Sequence, residues 1–188
     1  MLCGLTLSGA ATGCAPILTT FEQPQASGGV IVQRTCPPTP SVLLFKKEGV
    51  VAAISMNEPE AGRTALQVSF EVPSGRTVRL LERALEVSIA RGEHYRSELF
   101  CLWCGAGGKS VDPESLITGR TNRWPLGTTT GYGTTRHTFY LFSTEVATIL
   151  EGTFTVTLPK VLLNGRLWEM PPVLFTRVRK WIISPFNC

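Results

Sequence analysis

The stretch from Thr153 to Trp168 restricts the fold more than any other part of the chain. Phe154, Val156 and Leu158 alternate with Thr153, Thr155 and Thr157. Alternation with period two puts apolar side chains on one face of a strand and threonines, good strand formers, on the wet face. Gly152 opens the run and Pro159, which cannot donate to a ladder, closes it. Asn164-Gly165 then separates Val161-Leu162-Leu163 from Arg166-Leu167-Trp168. A two-residue Asn-Gly loop is the strongest short hairpin signal, because a type I′ turn needs φ > 0 at both central residues. The loop length also fixes the register: Leu163 faces Arg166, Leu162 faces Leu167, and Val161 faces Trp168.

The same pattern recurs along the chain. Val30 to Arg34 reads as a short strand. Val42 to Phe45 and Val50 to Met56 read as two strands around Lys46-Lys47-Glu48-Gly49. Leu66, Val68, Phe70 and Val72 alternate with Gln67, Ser69 and Glu71. Leu99 to Trp103, Thr138 to Phe142 and Val173 to Ile183 complete the set. Cys36-Pro37-Pro38-Thr39-Pro40 reads as a stiff extended connector.

Residues 76–91 carry two patterns at once. Val78, Leu81, Leu85 and Ile89 would share a helical face. Leu85, Val87 and Ile89 alternate with Glu86, Ser88 and Ala90, and no capping box opens the run. Two short strands are the preferred reading. The expected architecture is all-β: a single-domain antiparallel β-sandwich of nine or ten strands with an immunoglobulin-like outline and at most one short helix.

From 105 to 137 the chain turns to glycine and threonine with a weak apolar period, so a long loop is expected. Arg120, Arg123, Trp124, Tyr132 and Arg136 lie in it. Trp, Tyr and Arg most often dominate protein contacts, which makes this loop the candidate binding surface. The competing reading is that Trp124 pins the loop onto the domain.

Motifs of chemistry are sparse. Cys101-Leu102-Trp103-Cys104 could be a structural disulfide, a redox pair or half a zinc site. Haem attachment needs a histidine where Gly105 stands. A redox pair calls for a helix N-terminus at the first cysteine, and zinc calls for more ligands than His94 and His137 supply at recognisable spacing. Gly105-Ala106-Gly107-Gly108-Lys109-Ser110 resembles a phosphate loop, but Trp103 occupies the position of the required first glycine. No acid, base and nucleophile converge in the sequence, so the chain is read as a non-enzyme without cofactor or metal.

Composition narrows the class. The chain has 188 residues, 43% hydrophobic and 17% charged. A domain of that size can bury about 70% of its unfolded surface, so it needs no metal for stability. The net charge of +4 is spread over scattered sites such as Lys46-Lys47, Arg76 and Arg179-Lys180. No nucleic-acid partner is expected. No run of about 18 apolar residues is present to form a spanning helix.

Residues 1–14 are uncharged, apolar or small, and end in Ala11-Thr12-Gly13-Cys14. This run resembles the end of a bacterial lipoprotein signal peptide, in which small residues precede a cysteine that is acylated and becomes the new N-terminus. It lacks the basic leading region, and Ala11 stands where leucine is usual. The resemblance is to small β-rich lipoproteins of Gram-negative bacteria. It implies lipidation at Cys14, residues 15–28 as a tether and 29–188 as the sandwich domain. With Ala15 rather than aspartate next to Cys14, it also implies the periplasmic face of the outer membrane. Partners would be the membrane, through the anchor, and an envelope protein or cell-wall component.

With Cys3 removed and Cys14 acylated, Cys36, Cys101, Cys104 and Cys188 remain, and four cysteines allow three connectivities. Cys36 with Cys188 and Cys101 with Cys104 is the favoured pairing. The alternative function is an envelope thiol/disulfide or metal-dependent protein using Cys101 and Cys104. A subunit of a larger assembly, with sheet edges covered by partners, is a third reading.

Overall fold

The computed structural model describes residues 16–32, 42–57, 64–89, 92–104, 114, 116–118, 137–146, 150 and 152–183. Fifteen strands are formed among them: β1 (Pro16–Gln25), β2 (Val30–Val32), β3 (Val42–Lys47), β4 (Val50–Asn57), β5 (Thr64–Pro73), β6 (Thr77–Leu80), β7 (Ala84–Ile89), β8 (His94–Glu98), β9 (Phe100–Cys104), β10 (Ile117–Thr118), β11 (His137–Val146), β12 (Phe154–Thr157), β13 (Val161–Leu163), β14 (Arg166–Trp168) and β15 (Val173–Ile183). Every pairing is antiparallel, and no helix occurs among the described residues. The fold is an all-β sandwich, as the alternation predicts.

One layer is a six-stranded sheet in the order β2-β3-β4-β5-β11-β9. The other is built from two sheets, β1-β15-β12-β7-β8 and β10-β6-β13-β14. These two run on from each other. β6 pairs with β13 and β7 with β12, and the Leu81 amide donates to the Lys160 carbonyl at 2.8 Å between the two pairings. Pro159, without an N–H, sits at the interruption between β12 and β13.

The core lies between the layers. Leu43, Ile54, Leu66 and Phe70 from one side and Leu80, Leu85, Phe154, Val161 and Phe175 from the other are fully buried. Phe70 and Phe142 meet edge to face, 6.3 Å between centroids, within the first layer. Phe154 and Phe175 stack at 4.9 Å in the second. Each such side chain contributes about 1.5–3 kcal/mol by leaving water. The chain changes layer at Leu99, a buried corner residue between β8 and β9 whose amide donates to the Arg83 carbonyl at 2.6 Å. Ser97 on β8 then reaches across to Thr144 and to the Glu145 carbonyl on β11, closing that side of the sandwich.

Both two-residue hairpins follow from their turn residues. Glu48 and Gly49 have φ of 49° and 83°, and Asn164 and Gly165 have 50° and 77°. Val161 pairs with Trp168, Leu162 with Leu167 and Leu163 with Arg166, the register set by loop length. The described part of the ambiguous segment, 76–89, forms two strands: Val78, Leu80, Leu85 and Val87 are buried, while Leu81, on the would-be helical face, is exposed.

Three expectations change. The tether expected over 15–28 is mostly strand: β1 pairs with β15 from Pro16↔Ile183 to Gln25↔Leu174. Its prolines are accommodated because β1 is a sheet edge. The described residues form fifteen strands where nine or ten were expected, and β1, β8 and β10 are the ones with no counterpart among the segments read as strands. β10 falls within the expected loop 105–137 and pairs with β6.

β15 pairs with β12 only at Val173, Leu174 and Phe175 but with β1 along its whole length. Beyond Phe175 its one neighbour among the described strands is β1, so the two continue as a ribbon past the sheet.

Candidate functional site

Two breaks in the second layer and the turn by which the chain leaves it converge on one cleft of about 570 Å³. They are the turn at Ser27-Gly28, the interruption Leu158-Pro159-Lys160 and the connection Glu169-Met170-Pro171-Pro172. Leu158 and Met170 are buried and supply an apolar floor. The prolines hold φ fixed and bring no N–H to this wall. Lys160 Nζ and Glu169 Oε1 stand 3.8 Å apart at the rim, both more than half exposed. An exposed pair of that kind adds about 0–1 kcal/mol to stability. The cleft can seat a small apolar group and present one cation and one anion to its polar end.

The loop expected at 105–137 springs from paired neighbours. β9 and β11 are adjacent in the first layer, with Cys104 opposite Tyr140. The excursion between them reaches the other layer, where β10 pairs with β6. Glu114 is held there too: its carbonyl accepts from Arg79 Nε at 3.1 Å, and its carboxylate lies 3.5 Å from Arg83 Nε. Arg120, Arg123, Trp124, Tyr132 and Arg136 lie outside the described residues, as do Cys14, Cys36 and Cys188.

Cys101 is half-buried, and its sulfur is disulfide-bonded. The partner sulfur lies outside what the structure describes. Cys101 is opposite Phe142 and Cys104 opposite Tyr140, with a register shift between them that leaves Leu102 unpaired. The bulge absorbs one residue, so two cysteines three apart in sequence face alternate residues of β11. Both sit on a strand, where no helix dipole stabilises a thiolate.

His94 forms an exposed cross-strand bond, Nδ1 to Ser88 Oγ at 3.0 Å, between directly opposed residues of β7 and β8. Among the described residues no three His, Cys, Asp or Glu side chains gather in a metal-binding cluster, and no helix is long and apolar enough to cross a membrane. The cleft was invisible to sequence reasoning. Pro159 and Pro171-Pro172 signal strand ends, but nothing in the sequence says that those ends meet. The chain matches no known family model, no characterised protein and no solved structure.

Proposed function

We propose that this chain is a non-enzymatic binding or structural protein of the cell envelope, held to the periplasmic face of the outer membrane by a lipid on Cys14. The observation that carries the reading is the run Ala11-Thr12-Gly13-Cys14 standing immediately ahead of the paired strand β1. An acyl anchor belongs at that junction between leader and domain.

The contact surface is the excursion 105–137. Its support is mechanical: it leaves and re-enters the sheet at neighbouring strands and is clipped to the far layer through β10 and Glu114. Arg120, Arg123, Trp124, Tyr132 and Arg136, which lie outside the described residues, are the proposed contact residues. Cys36 with Cys188 and Cys101 with Cys104 remain the proposed bridges.

Mass spectrometry of the protein from its own host tests the anchor. A diacylglyceryl mass on Cys14 is expected, and an intact Met1 refutes it. A photocrosslinking residue in place of Trp124 tests the surface: a discrete envelope adduct is expected, and none at any yield refutes it. The thiol/disulfide alternative draws on the disulfide at Cys101. It requires that mild reductant release a reactive, low-pKa thiol there.

A further inference from the structure

The β1–β15 ribbon is the least explained part of the fold. A two-stranded ribbon alone is marginal in water, yet this one runs on past Phe175 with no third described strand beside it. Its core-side row starts buried, at the opposed pair Pro24 and Phe175. Next comes Glu22, buried, with its carboxylate 3.9 Å from Arg177 Nε. Thr20 opposite Arg179 follows, both exposed, and then Leu18 opposite Trp181. Trp181 is 65% exposed and Leu18 37%. The row that packs the core at one end thus presents an apolar pair to solvent at the other.

Charge at this end has one sign. Arg177, Arg179 and Lys180 are all exposed, and Glu22 is the one acid among the ribbon's described residues. An exposed tryptophan beside arginine and lysine fits the boundary between lipid headgroups and acyl chains: the indole sits at headgroup level while the cations meet anionic phosphates.

We propose that the outer end of the β1–β15 ribbon docks on an anionic phospholipid surface, with Leu18 and Trp181 inserted and Arg179 and Lys180 on the headgroups. This deepens the anchored reading above and rests on it for orientation. β1 begins two residues after Cys14, a reach of about 7 Å in extended chain. A lipid on Cys14 would therefore bring this end of the ribbon down to the bilayer. Apolar insertion and cationic contact together hold a peripheral protein on such a surface.

The test uses the full chain carrying Cys14→Ser, which cannot be acylated, sedimented with vesicles of phosphatidylethanolamine and phosphatidylglycerol. Binding that falls at high salt is expected. Leu18→Ser with Trp181→Ser should weaken it about tenfold or more, and Arg179→Gln and Lys180→Gln about fivefold each. All four positions are exposed, so the variants should keep the parent's far-ultraviolet spectrum. Brominated lipid should quench the parent's tryptophan emission, and the quenching should drop in Trp181→Phe. No vesicle binding by the Cys14→Ser parent, or equal binding by the Leu18/Trp181 variant, overturns the proposal. So does a lipid-free dimer that Trp181→Ser dissolves, because the ribbon's occupant is then a second copy. The acyl mass on Cys14 is measured separately on native protein. Its absence would remove the anchor without touching the vesicle result, and the converse holds equally.

Discussion

Asn164 Nδ2 donates to Glu48 Oε2 at 2.8 Å, joining the tips of two hairpins that belong to opposite layers of the sandwich. The same side chain accepts from the Thr77 amide through Oδ1 at 3.0 Å, and its backbone N–H donates to the Thr77 carbonyl at 2.9 Å. Arg76 approaches the same Glu48 oxygen at 3.6 Å. Asn164 is therefore both the turn residue that tolerates φ > 0 and the clip between layers.

Asn164→Gly keeps the turn conformation and removes only the side-chain bonds. A loss of about 1–2 kcal/mol is expected in urea unfolding. Asn164→Ala adds a left-handed penalty of about 1 kcal/mol more. Equal stability of the two variants would mean that the lost side-chain bonds, rather than the left-handed turn, account for the whole effect.

Phe154 and Phe175 are directly opposed on β12 and β15, with rings 5° from parallel. Phe175→Ala should cost about 3–5 kcal/mol, and Phe175→Leu, which refills much of the volume, clearly less. The midpoint of a thermal melt reads the difference. Similar melts for the two variants would show that shape at this contact contributes little.

A Cβ at Gly29 would lie 2.8 Å from Leu43 Cδ1, and Leu43 is fully buried. Gly29→Ala should destabilise by about 1–3 kcal/mol through overpacking. Combined with Leu43→Val, it should cost less than the sum of the two single changes. Strict additivity in the double-mutant cycle would place the strain elsewhere.

What the sequence discloses depends on how each strand meets water. β4, β5 and β12 have one buried face, so their residues alternate visibly, and the Asn164-Gly165 turn carries its register in its own length. β8 is an edge strand, His94-Tyr95-Arg96-Ser97-Glu98, whose polar side chains guard an open ladder and leave no apolar period to read. β1 hides for a related reason. Its core-side row of Leu18, Thr20, Glu22 and Pro24 is mixed in polarity, and its prolines mimic a linker although an edge tolerates them. The cleft at Pro159 and Pro171-Pro172 depends on which strand ends become neighbours, a property of topology that no local pattern encodes. The cysteines gave only arithmetic. That Leu102 is the unpaired residue of a bulge appears only once β9 is laid against β11.

The pairing of β1 with β15 also sets an order of events. β1 is made before the other described strands, yet its ladder partner among them is the last to be synthesised. Until then β1 has no backbone partner among the described strands, and the sheet cannot acquire that edge. Contacts this distant in sequence slow the search for the native state. A ribosome must therefore have made β15 before this edge can close, which leaves an interval in which a holdase can engage the unpaired strand.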